Sequence, residues 1–159
     1  MDSPRLFVSA RADRELGLFV RDSVARDQIL FTLHRGLNAK PDVRSLPMDH
    51  GISPHSPSDM HCLIHHACLA SAYIDWSGLC LRILRAVTPG DEVTLNFLTI
   101  YDEVPHPIVC RCGFSECFGE IRGFRYLTLD EKLKLELYLS PQLKALLQQQ
   151  VRAARNQAS

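Results

Sequence analysis

Apolar and polar residues alternate from Leu6 to Ser9 and again around Leu18 to Arg21. This is the period of two that a half-buried strand shows, and β-branched and aromatic residues recur through both stretches. Ile29 to Leu33 predicts a further strand. Between Asn38 and Ser58 the period is broken by Pro41, Pro47, Pro54, Pro57 and Gly51, which predicts irregular chain. Alternation returns in "AYIDWSGLCLRILRAV", with Tyr73, Leu79, Leu81, Ile83 and Leu84 as core candidates. The Pro-Gly turn "TPGDE" then leads into a predicted strand, "VTLNFL".

Beyond Tyr126 the period changes. Thr128 and Glu131 form a T-x-x-E capping box that opens a predicted helix, "LDEKLKLELYL". Ser140 caps a second helix with Pro141 at its first position, and Leu143, Leu146, Leu147 and Val151 fall on one of its faces. The tail from Ala153 is polar and is expected to fray. Short strands followed by two C-terminal helices predict an α+β protein, mostly β, without internal repeats or low-complexity tracts.

A chain of 159 residues is one domain, or one domain with a small appendage, and is long enough to bury a core. Lysine plus arginine equals aspartate plus glutamate at 18 each, so charge gives no case for a nucleic acid or membrane partner. Runs such as "LRIL" are too short to span a bilayer, and the N-terminus lacks the basic, apolar and small-residue sequence of a secretion signal. The expectation is a soluble intracellular protein, cytoplasmic or nuclear.

In that compartment the cysteines point to metal rather than disulfides. "CRCGFSECFG" places Cys110, Cys112 and Cys117 as C-x-C-x4-C on a turn loosened by Gly113. A structural zinc takes four ligands in a tetrahedron, so this cluster needs a fourth from elsewhere in the fold. Binding of this kind contributes on the order of 10 kcal/mol to ordering a small segment. The bland alternative is three free cysteines. A second dense stretch is "HCLIHHACLAS", His61 to Ser71. Were Met60 to Ala67 helical, His61 and His65 would share a face, as would Cys62 and His66. A second metal site there competes with a reading in which His50, His55 and His61 are ordinary loop residues.

"CRCGFSECFGEIRGF" resembles the post-SET zinc motif of SET-domain methyltransferases, the protein-lysine methyltransferase family. "VTPGDEVTLNF" is similar to the family's second signature, "HHACLAS" lies where its N-H-S-C-x-P-N motif falls, and "RELGLFVRDSVARDQIL" is similar to its opening G-x-G segment. The resemblance runs from about Leu16 to Tyr126 and is to the compact type. It implies small β-sheets with a pseudoknot-like core over residues 1–108, with an irregular insert at about 38–60. It further implies a post-SET zinc segment over 109–126 and C-terminal helices and tail over 127–159. Carried over by position, Cys68, Cys110, Cys112 and Cys117 hold one structural zinc. S-adenosylmethionine touches Leu16, Gly17, Leu18, His65 and His66, with Phe118 over the adenine.

The chain departs from the family at the chemistry. Methyl transfer to an amine depends on proximity, orientation and a neutral nucleophile. The tyrosine that closes the second signature is Phe97 here, and losing one preorganised polar group at a reacting centre costs roughly 3 kcal/mol. Glu15 replaces the first glycine of G-x-G, and His65 replaces the first asparagine of the H-x-C motif. Tyr101, Tyr73 and His65 are the substitutes considered for the lost hydroxyl. Asp91 and Glu92 match the acidic pair of the family's turn and are expected to cap it. Three functions follow as expectations: an N-methyltransferase acting on a peptide lysine or other amine, a repurposed enzyme acting on a small molecule through a histidine-rich pocket, or a zinc-stabilised binding module without chemistry.

Overall fold

Alternating Leu6, Val8 and Ala10 against Leu16, Leu18 and Val20 produce an antiparallel hairpin, β1 (Leu6–Ala10) with β2 (Leu16–Val20), in register from Leu6↔Val20 to Ala10↔Leu16. The computed structural model describes residues 5–13, 15–33, 60–104 and 106–157. The predicted irregular insert, with His50 and His55, falls outside the described residues, apart from Met60 at its edge. The strands that follow are β3 (Ile29–Thr32), β4 (His65–His66), β5 (Ala72–Asp75), β6 (Cys80–Ile83), β7 (Thr94–Leu95), β8 (Ile108–Val109) and β9 (Glu120–Ile121). The helices are α1 (Leu129–Lys134) and α2 (Pro141–Gln157). The result is α+β, built mostly of small sheets with two helices at the C-terminal end.

β3, β6 and β5 form an antiparallel sheet in that order, and β8 pairs antiparallel with β9. β4 and β7 pair parallel, His65↔Thr94 and His66↔Leu95. A parallel pair needs a crossover, and the β5–β6 hairpin supplies it. Ser71 reinforces the junction: its hydroxyl donates to Glu92 O at 2.9 Å and accepts from Thr94 N at 2.9 Å.

One apolar core gathers Leu18, Val20, Val24, Ile64, Leu81, Ile83, Val93 and Leu95 among others. A second gathers Phe124, Leu139, Leu143 and Leu147 under the helices. Of the core candidates, Leu81 and Ile83 are buried, while Tyr73, Leu79 and Leu84 are half-buried. The two cores are joined by backbone hydrogen bonds from Phe124 N to Tyr101 O and from Ser140 N to Thr99 O, at 2.9 and 2.8 Å.

Local structure differs from the sequence expectation in four places. "VTLNFL" is extended only over Thr94–Leu95, because the Asn96 side chain accepts from Leu98 N at 3.1 Å and caps a 3-10 turn over Phe97–Thr99. The T-x-x-E capping box is present, but the helix it opens stops at Lys134 and passes into a 3-10 turn over Glu136–Tyr138. α2 continues through the polar tail to Gln157 instead of fraying from Ala153. Met60–Leu63 is a 3-10 turn followed by strand, so His61 and His65 do not share a helical face, nor do Cys62 and His66. Among the described residues no helix is long and apolar enough to cross a membrane.

Candidate metal centre and adjoining cavity

β4 delivers Cys68 to one side of the C-x-C-x4-C loop. The Sγ atoms of Cys68, Cys110, Cys112 and Cys117 all lie within 4.8 Å of one another, and Cys68 stands 3.7 Å from both Cys110 and Cys117. Four sulfurs at about 2.3 Å from a tetrahedral zinc are separated by roughly 3.8 Å. A disulfide would need about 2 Å, so the geometry is that of a ligand cage and not of a bridge. Among the described residues this is the one group of three or more metal-ligating side chains so disposed, and four cysteines suit zinc. Among the described residues no second group of three or more metal-ligating side chains gathers around His61 to His66.

The loop is shaped for the cage. Gly113 and Gly119 both take φ +72°, a conformation that glycine adopts at little cost. Cys110 N donates to Gly119 O at 2.7 Å, and Cys117 N donates to Phe114 O at 3.0 Å. The thiols differ in acidity. Burial pushes Cys68 and Cys110 up. Burial also opposes ionisation of Cys112, but hydrogen bonds from the Phe114 and Cys68 backbone and from the Cys110 and Cys117 thiols outweigh it and bring Cys112 down to about 6. A divalent cation bound by such thiols lowers the cost of ionising them and displaces their protons.

His66 links this cage to Phe97. Phe97 N donates to His66 Nδ1 at 3.1 Å, and burial holds the imidazole down at about 4, so it is neutral with its proton on Nε2. That Nε2 lies 3.4 Å from Cys68 Sγ and donates toward it, a contact that would orient Cys68 and share its charge in a metal-bound cage.

Beside the cage is an open cavity of about 890 Å3. Its walls include Glu15, His65, His66 and Phe97 from the predicted site, and Cys110 and Cys112 from the cysteine cluster. Leu16, Gly17 and Leu18 lie behind Glu15 in β2, with Leu16 exposed and Gly17 and Leu18 buried, and do not line it. Phe118 does not line it either, and the aromatic wall at the zinc loop is Phe114. Tyr101 packs edge-on behind Phe97, ring centroids 5.6 Å apart. Tyr73 lies away from the cavity, its ring tilted against that of Tyr138 and its hydroxyl donating to Asp27 Oδ1 at 3.2 Å. None of the four tyrosines lines the cavity.

The two departures at Glu15 and His65 meet in space. His65 Nε2 is 2.9 Å from Leu16 O and donates to it, while His65 Nδ1 is 3.5 Å from Glu15 Oε2. Arg11 pairs with Glu92 at 3.1 Å and with Asp13 at 3.6 Å. Gly17 makes room for the Arg11–Glu92 pair, since a Cβ there would lie 3.0 Å from Arg11 Cγ and 3.1 Å from Glu92 Oε1. Asp91 caps the Pro-Gly turn, accepting from Thr88 N at 2.8 Å, whereas Glu92 turns to Arg11. Arg11, Arg85, Arg111 and Phe114 carried no motif signal. They reach the cavity through the hairpin turn, the segment after β6 and the zinc loop. Comparison of the chain with family models and with curated proteins finds no match.

Proposed function

We propose that this chain is a SET-type methyltransferase scaffold whose cavity takes S-adenosylmethionine and whose four cysteines hold one structural zinc. The observation that carries this reading is the parallel pairing of His65–His66 with Thr94–Leu95. It sets the H-x-C segment beside "GDEVTLNF" and brings Cys68 to the other three cysteines, as the resemblance implies. The volume supports it too: about 890 Å3 lies within the range of small-molecule sites.

The cofactor would supply a methyl group on a sulfonium. The chain's part is to hold an amine in line with that methyl group and keep water out. Phe97 provides an apolar wall, fixed by edge contacts with His66 at 5.5 Å and Tyr101 at 5.6 Å. Neutral His66 adds no charge beside it. No tyrosine hydroxyl is available in the cavity to orient an amine.

That absence favours a second reading over peptide-lysine methylation: a repurposed enzyme acting on a small-molecule amine, or a binding module that holds its ligand without chemistry. Methyl transfer from labelled S-adenosylmethionine separates them. If lysine is the substrate, Phe97→Tyr raises transfer to a lysine peptide by about tenfold or more. No gain, with the cofactor still bound, rejects lysine and leaves a small amine. Transfer to no amine at all leaves the binding module.

A further inference from the structure

Four carboxylates and three arginines line the cavity, and they are unevenly paired. Its four carboxylates are all engaged: Asp13 with Arg11 and with Glu15 N, Glu92 with Arg11, Glu15 with His65, and Asp91 with Thr88. Arg11 is taken up by two of them, and the other two are held by neighbours other than an arginine. Two cations remain, Arg85 and Arg111, which line the same cavity and have no carboxylate partner among the described residues.

Both stand on anchored backbone. Leu84 N donates to Ser71 O at 2.8 Å, and Val87 pairs with Val24, which fixes the chain on either side of Arg85. Arg111 lies between Cys110 and Cys112, so a metal in the cage would hold its backbone from both sides. Guanidinium groups present forked donors that match the oxygens of carboxylate and phosphate, and two in one recess make an anion the fitting occupant.

We propose that Arg85 and Arg111 form an anion subsite of the cavity, selecting a ligand that carries a carboxylate or phosphate group. The anion has two sources, the carboxylate of S-adenosylmethionine or an acidic group on the substrate. The site itself does not depend on the cofactor reading.

The test uses the full zinc-loaded chain and inorganic phosphate as probe, followed by nuclear magnetic resonance on the arginine Nε and backbone signals. Phosphate is expected to shift Arg85 and Arg111 saturably. Arg85→Gln/Arg111→Gln should weaken it about tenfold or more, and Arg85→Lys/Arg111→Lys should keep part of the affinity. S-adenosylmethionine and 5′-methylthioadenosine, which lacks the carboxylate, then identify the source. Weaker binding of the first alone in the glutamine variant assigns the subsite to the cofactor. Unchanged binding of both assigns it to the substrate. No saturable phosphate binding, or equal binding by the folded glutamine variant, overturns the subsite. Phosphate binding without S-adenosylmethionine binding leaves the subsite standing and rejects the cofactor.

Discussion

Glu15 and His65 break the resembled motifs at points fifty positions apart in the chain. The fold brings their side chains together at the rim of one cavity, so they act as one replacement rather than two lesions. A double-mutant cycle with Glu15→Gln and His65→Asn, read by urea unfolding, should give a coupling of about 0.5 kcal/mol, as expected for a partly exposed pair. Additive effects would separate the two residues. Asp75 shows a different residue-scale effect. The Ser77 hydroxyl, the Arg82 guanidinium and the Gly78 N–H hold its carboxyl below the usual range. A lowered carboxyl pKa stabilises the fold above the ordinary value of about 4, and that stability is lost as pH falls further. Asp75→Asn should cost about 1 kcal/mol at neutral pH and flatten the acid side of the stability profile. An unchanged acid limb would contradict it. Residue types in the sequence mark Glu15 and His65 as unusual, but their contact depends on long-range pairing that local pattern does not encode.

At the scale of elements, what was readable followed local chemistry. The β1–β2 alternation, the Thr128–Glu131 capping box and the Ser140 cap with Pro141 each depend on residues close in the chain. β4 and β7 were not readable as strands of two residues, because their pairing is a tertiary event and Asn96 ends the extended run. The 3-10 turn after α1 was hidden by an apolar pattern that continues through Leu137, which is 80% exposed. Gly123 gives an element-scale test. It takes φ +128°, and a Cβ there would collide with the Asp102 carbonyl and lie 2.6 Å from Glu103 Cα. Gly123→Ala should destabilise the junction between the two cores by roughly 1–3 kcal/mol or more in thermal unfolding. A neutral effect would mean that this close approach is not needed. In the zinc loop, Cys112→Ser should remove the metal and expose the backbone amides of β8 and β9 to hydrogen exchange. Retained protection would show that the loop is ordered without metal.

At the scale of the molecule, the two apolar cores, the cysteine cage and the cavity form a connected arrangement. The parallel β4–β7 pair carries Cys68 to the cage and His66 to Phe97, while the cysteine loop closes one cavity wall. The α+β class was legible in period and three of the four cysteines in spacing, whereas the fourth, Cys68, followed only from the resemblance to the SET family. The cavity's charge distribution was not, since Arg11, Arg85 and Arg111 come from three separate segments. Metal analysis of protein never exposed to chelator should find one zinc per chain, and finding none would remove the cage from the account. The central claim, that the cavity is built for S-adenosylmethionine, is tested most directly by calorimetric titration of the zinc-loaded chain with that cofactor. The account predicts saturable binding at one site per chain, and the absence of binding at millimolar cofactor would contradict it.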